Sequence, residues 1–90
     1  MKAPLSHPDF LLLCDRIIAK KLSIDQWMEI PSSDMFQKGD YVGGFDDNER
    51  EFTFSYYSGK DEYWFQMSLE DVGRVRRGEI TEVEARPADK

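Results

Sequence analysis

Between Glu51 and Ser68 apolar and polar side chains alternate with a period of two, and many of the apolar ones are rings. Phe52, Phe54 and Tyr56 alternate with Thr53, Ser55 and Tyr57; past Ser58-Gly59-Lys60-Asp61, Tyr63, Phe65 and Met67 alternate with Trp64, Gln66 and Ser68. That pattern predicts two strands. A two-residue turn at Gly59-Lys60, with Gly59 supplying the positive φ of a type II′ turn, sets Tyr56 against Tyr63, Phe54 against Phe65 and Phe52 against Met67. All six then share one face. A three-residue loop would slip the register by one and mix the faces, so burial selects the even loop.

Upstream, Asp40 to Asp46 predicts another strand, weakened by Gly43-Gly44. A turn centred on Asp47-Asn48 sets Tyr41 against Phe54, Gly43 against Phe52 and Phe45 against Arg50, with Gly43 leaving room for the Phe52 ring. At the N-terminal end the spacing changes to that of a helix. Ser6 or His7 can cap it, Pro8 and Asp9 suit its first turn, and Phe10, Leu13, Cys14, Ile17, Ile18 and Leu22 form its apolar stripe. Ser23 with Gln26 has the form of a capping box, so a short second helix is expected over Ile24–Ile30, carrying Trp27 and Met28 and closed by Pro31. Residues 31–40 read as an ordered loop pinned by Met35 and Phe36. Ser68, with an acid three residues on, caps a helix from Leu69 to about Arg77 that Gly78 stops. Residues 79–85 alternate weakly and are a candidate edge strand, while Met1–Leu5 and residues 86–90 read as loose ends.

The expected architecture is α+β. A long N-terminal helix packs on a three-stranded antiparallel β-meander, followed by a short C-terminal helix and the candidate edge strand; one domain spans residues 1–85 and a flexible polar tail spans 86–90. The length of 90 residues supports this, since such a chain buries roughly 60% of its unfolded surface in one modest core. With 40% hydrophobic and 13% aromatic residues the chain is too apolar for a disordered one. Its longest apolar run, Phe10 to Cys14, is too short to cross a bilayer, and no export signal is evident. A single cysteine, Cys14, forms no internal disulfide, which makes a reducing cytoplasm the simplest compartment.

Charge changes the picture more. The net charge is −6, and residues 39–72, which include the strands, hold nine acidic and only two basic groups. Such a surface repels phosphate backbones and attracts basic partners, so nucleic acid and membrane are not the expected partners. The face opposite the aromatic core carries Val42, Tyr57 and Trp64 among small polar residues, with Asp46, Glu51 and Glu62 at its edge. Large aromatics bordered by acid have the character of a protein interface. Trp64, Tyr57, Glu62, Val42 and Glu51 are therefore the candidate partner-binding residues. The competing expectation is that Trp27, the 31–38 loop or the tail covers Trp64.

Other chemistry is thinly signalled. His7 lies at a helix start with neither nucleophile nor orienting acid nominated, and Cys14 sits in the apolar stripe, where a thiol is inert. Asp46, Asp47, Asn48 and Glu49 are consecutive oxygen donors but lack the spacing and central glycine of a calcium loop. Arg74, Arg76 and Arg77 suit a helix C-terminus better than a phosphate site. Gly43-Gly44 lacks the spacing of a nucleotide-binding loop. No catalytic residue, metal or cofactor is implied. The expected function is a small acidic cytoplasmic module that binds a basic protein, for instance as an inhibitor or immunity-type protein, an analogy of size and charge. The alternative is a small ligand-binding protein or enzyme with its site where Trp27, Tyr41 and the 31–38 loop approach the sheet. A homodimer through an edge strand or the Trp64 face is open to either.

Overall fold

Alternating apolar side chains leave water only if a second layer covers their side of the sheet, and here helices supply that layer. The computed structural model describes residues 1–30 and 35–88. Along the chain run β1 (Lys2–Pro4), α1 (Pro8–Ala19), α2 (Ile24–Met28), β2 (Met35–Lys38), β3 (Tyr41–Asp46), β4 (Glu51–Ser58), β5 (Asp61–Met67), α3 (Leu69–Arg76), β6 (Glu82–Glu84) and β7 (Arg86–Pro87). The fold is α+β. Its main sheet has the order β2-β3-β4-β5-β7, antiparallel throughout, while β1 and β6 form a separate two-stranded ribbon.

The central hairpin has the predicted register: Phe52 opposes Met67, Phe54 opposes Phe65 and Tyr56 opposes Tyr63. Gly59 at φ 64°, followed by Lys60 without positive φ, is the combination a type II′ turn needs. The β3–β4 pairing differs from the expected one by two residues. Tyr41 opposes Tyr56, Gly43 opposes Phe54 and Phe45 opposes Phe52. The connection is a four-residue loop rather than a two-residue turn. Asp46 Oδ1 accepts from the backbone N–H of Asn48 at 2.9 Å and of Glu49 at 3.3 Å, and Arg50 re-enters the strand at φ 58°. A shift of two preserves the faces, so Tyr41 and Phe45 still point inward. The room left by Gly43 serves Phe54 rather than Phe52, because a Cβ there would overlap the Phe54 ring.

The sheet is two strands wider than the three-stranded meander expected. Met35–Lys38, read as loop, pairs with β3, and Phe36 is buried; residues 31–34 of the expected loop lie outside the described residues. Turn-forming neighbours hid a strand that tertiary pairing imposes. Arg86–Pro87, read as the start of a tail, pairs with Tyr63 and Trp64 of β5, and Ala88 N–H donates to the Glu62 carbonyl at 2.9 Å. Met1–Leu5 is not loose either. Strand β1 pairs with β6, which makes part of residues 79–85 a strand in the ribbon rather than in the main sheet, and Ala3 and Leu5 are fully buried.

Helix α1 lies over the aromatic face, with Phe10 edge-on to Phe54 at 5.0 Å and near Phe65 at 5.8 Å between ring centroids. His7 caps it, its Nδ1 accepting from the Asp9 N–H at 3.0 Å. Of the expected stripe Phe10, Leu13, Cys14 and Ile17 are buried, Ile18 is exposed although inside the helix, and Leu22, beyond its end at Ala19, is half-buried. The Ser23–Gln26 capping box forms and starts α2, which carries Trp27 onto Phe36, Phe45 and Phe52 at 5.0–6.1 Å. Ser68 caps α3 by accepting from the Asp71 N–H, and Gly78 at φ 81° follows its end. Among the described residues no helix is long and apolar enough to cross a membrane.

Candidate functional site

Because α1, α2 and α3 bury one face of the sheet, the alternate residues of β3, β4 and β5 make up the other. The ladder arranges them in rows: Val42, Ser55, Trp64 and Arg86 lie across the sheet in one, Gly44, Thr53 and Gln66 in the next, and Tyr57 opposes Glu62 while Asp46 opposes Glu51. All five residues singled out from the sequence thus share the outward face. Val42 and Trp64 flank Ser55, Tyr57 and Glu62 sit toward the Gly59 turn, and Glu51 sits toward the opposite end.

Short side chains on this face are tied to one another. Ser55 Oγ donates to Glu62 Oε2 at 2.8 Å, Gln66 Nε2 donates to Thr53 Oγ1 at 3.3 Å, and Thr53 Oγ1 donates to Asp46 Oδ2 at 3.4 Å. Such bonds hold the carboxylates of Glu62 and Asp46 in place on this face. Tyr57 is 39% exposed. Trp64 is half-buried, and the cover comes from Arg86, whose guanidinium carbon lies 5.6 Å from the ring centroid. Of the two expectations for Trp64, an open ring or one covered by the chain itself, the structure shows the second in part, with Arg86 of the segment read as a tail capping one side of the ring.

Two depressions of about 290 Å³ each open on this face. One has Gly43 and Gly44 as its floor, with Val42, Asp46, Thr53 and Ser55 around it. The other is lined by Glu51, Trp64, Gln66, Glu84 and Arg86. Glu84 also accepts a hydrogen bond from the Met1 ammonium at 2.9 Å, which holds its carboxyl below the usual range. Gln66 falls on this face by the alternation that places Trp64 there, whereas Arg86 and Glu84 were not read from the sequence as parts of the site. The only available signal was that Val83, Ala85 and Pro87 continue a period of two.

In the region expected for an alternative small-molecule site, whose residues 31–34 lie outside the described ones, the described residues include packed rings: Trp27 meets Phe36, Phe45 and Phe52, and Tyr41 meets Phe10 at 5.1 Å and Tyr56 at 5.1 Å. The Trp27 Nε1 has no acceptor among the described residues. Tyr41 donates its hydroxyl to the Pro4 carbonyl at 2.6 Å; burial, with Tyr56, Asp40 and Asp9 nearby, pushes its phenol up to about 12. Burial, reinforced by the charge of Asp15, likewise pushes the Cys14 thiol up to about 12.

The arginines near the end of α3 are each engaged by carboxylates: Arg74 by Glu70 and Asp71, Arg76 by Asp15 at 2.6 Å, Arg77 by Glu79 at 2.9 Å. Asp46 is committed to its own turn and to Thr53. Among the described residues no three His, Cys, Asp or Glu side chains converge as metal ligands. Comparisons with protein-family models, with curated proteins and with solved structures give no match for this chain.

Proposed function

We propose that the protein is a small binding module whose outward sheet face takes a basic protein partner. The observation that carries the reading is the shared face of Trp64, Tyr57 and Val42 with Glu51, Glu62 and Asp46, on the side of the sheet opposite the three helices. Half-exposed aromatics supply anchor surface, and the carboxylates favour a cationic counterpart and speed its approach. One concrete form is an inhibitor that blocks a basic enzyme by occupying its surface. A ligand site beneath Trp27 is less favoured, since packed rings occupy that space.

The test is affinity capture from source-cell extract with wild type, Trp64→Ala and a Leu12→Glu control on exposed helix surface. A basic protein retained by wild type and the control but lost with Trp64→Ala supports the reading. Equal retention by all three, with Trp64→Ala folded, overturns it. With the purified partner, Trp64→Ala should weaken binding by about 2 kcal/mol or more. Glu62→Lys should mainly slow association and flatten its salt dependence.

A further inference from the structure

The contact between Arg86 and Trp64 indicates which cationic group this face accepts. A guanidinium is planar, weakly hydrated and stacks on aromatic rings, and tryptophan is the best ring for it. Arg86 holds that place on a strand of two residues whose bonds to β5, among the described residues, run through Tyr63, Trp64 and the Ala88 to Glu62 bond, while Ala85 before it is tied to Met1. Exposed backbone bonds of this kind exchange readily with bonds to water. Beyond β7, the Phe65–Met67 part of β5 has no ladder partner on that side among the described residues. An extended segment from another chain can take the place of β7 beside Tyr63 and Trp64.

We infer that the groove beside Trp64 receives an arginine carried on an extended segment of the partner, added to the edge of β5, and that Arg86 occupies this place in the unbound protein. The inference rests on the basic-partner reading and gives it a chemistry. Glu51 lines the depression around the ring together with Glu84, which the Met1 ammonium already engages, so Glu51 draws the incoming side chain by charge in addition to the ring face. The strap of residues 86–88 then competes with the partner and lowers its apparent affinity by the fraction of molecules in which the groove is filled.

The probe is the tetrapeptide acetyl-Ala-Arg-Pro-Ala-amide, followed by NMR through the Trp64 indole N–H. The full chain is compared with Arg86→Ala and with Arg86→Gln, which keeps part of the side-chain stem. The Trp27 indole signal reports that the core is intact. Saturable shifts of the Trp64 signal are expected in both variants, with wild type binding at least severalfold more weakly. A peptide with citrulline in place of arginine should bind about two- to fivefold more weakly, the scale of an exposed cation–π contact. Three results would each overturn the inference: no saturable shift in folded Arg86→Gln, equal binding by the citrulline peptide, or equal binding by wild type and both variants. If the peptide fails while Trp64→Ala still loses the captured basic protein, the arginine assignment falls and the basic-partner reading stands. If the peptide binds but capture is indifferent to Trp64, the reverse holds.

Discussion

Phe54 is one of the fully buried rings on the inward face of the sheet. It stacks on Phe65 at 5.5 Å, meets Phe10 edge-on and is fully buried, with Gly43 beneath its ring. Truncating it leaves a cavity that neighbouring rings cannot close, so Phe54→Ala should cost about 3–5 kcal/mol in urea denaturation. Gly43→Ala inserts a methyl group into the same ring and should cost about 1–3 kcal/mol although it adds apolar surface. A neutral Gly43→Ala would contradict the close approach. Cys14 and Tyr41 give a pH prediction. Both are neutral when protonated, and burial raises them from ordinary values of 9.0 and 10.0 to about 12. Their contribution is complete below about pH 9 and is lost as pH climbs toward 12. The urea midpoint should therefore fall across that window. Tyr41→Phe should flatten the fall above pH 10, and Cys14→Ala should flatten its lower part. An unchanged slope in both variants would show that these groups are not buried as described.

Among the elements, β7 is the least firmly held. The amides of Arg86 and Ala88 should exchange with deuterium through local opening, well before those of Phe54 and Phe65, which await global unfolding. Equal protection would mean that the C-terminal strand is part of the core rather than a strap. Ser68→Ala, which removes the cap of α3, should cost about 1 kcal/mol by thermal melting. The caps, the central hairpin and the burying face of α1 were legible because each rests on short-range chemistry: a serine with Gln26 or Asp71 three residues on, a glycine at a turn, a period of two or of three to four. The register of β3 was not, because it depends on how Asp46 folds its carboxylate over Asn48 and Glu49, and nothing local separates that loop from a two-residue turn. Strands β1, β2, β6 and β7 are only two to four residues long. They exist because distant partners pair with them, and such pairing leaves little trace in a short segment.

For the molecule as a whole, the sheet divides the labour. One face is joined to three helices through a single buried cluster running from Ala3 to Ala85, and the other gathers Trp64, Tyr57 and the carboxylates of Asp46, Glu51 and Glu62. The five candidate residues were legible as a group because alternation fixes faces even when register is wrong by two; Arg86 was not, since its place depends on a strand made of two residues. The most direct test is photo-cross-linking in source-cell extract with p-benzoyl-phenylalanine at Tyr57 on the outward face or at Ile18, which is exposed on α1. The account predicts an adduct with a basic protein from Tyr57, absent from Ile18 and lost when Trp64→Ala is added. Adducts from Ile18 alone, or Tyr57 adducts that persist in Trp64→Ala, would contradict it.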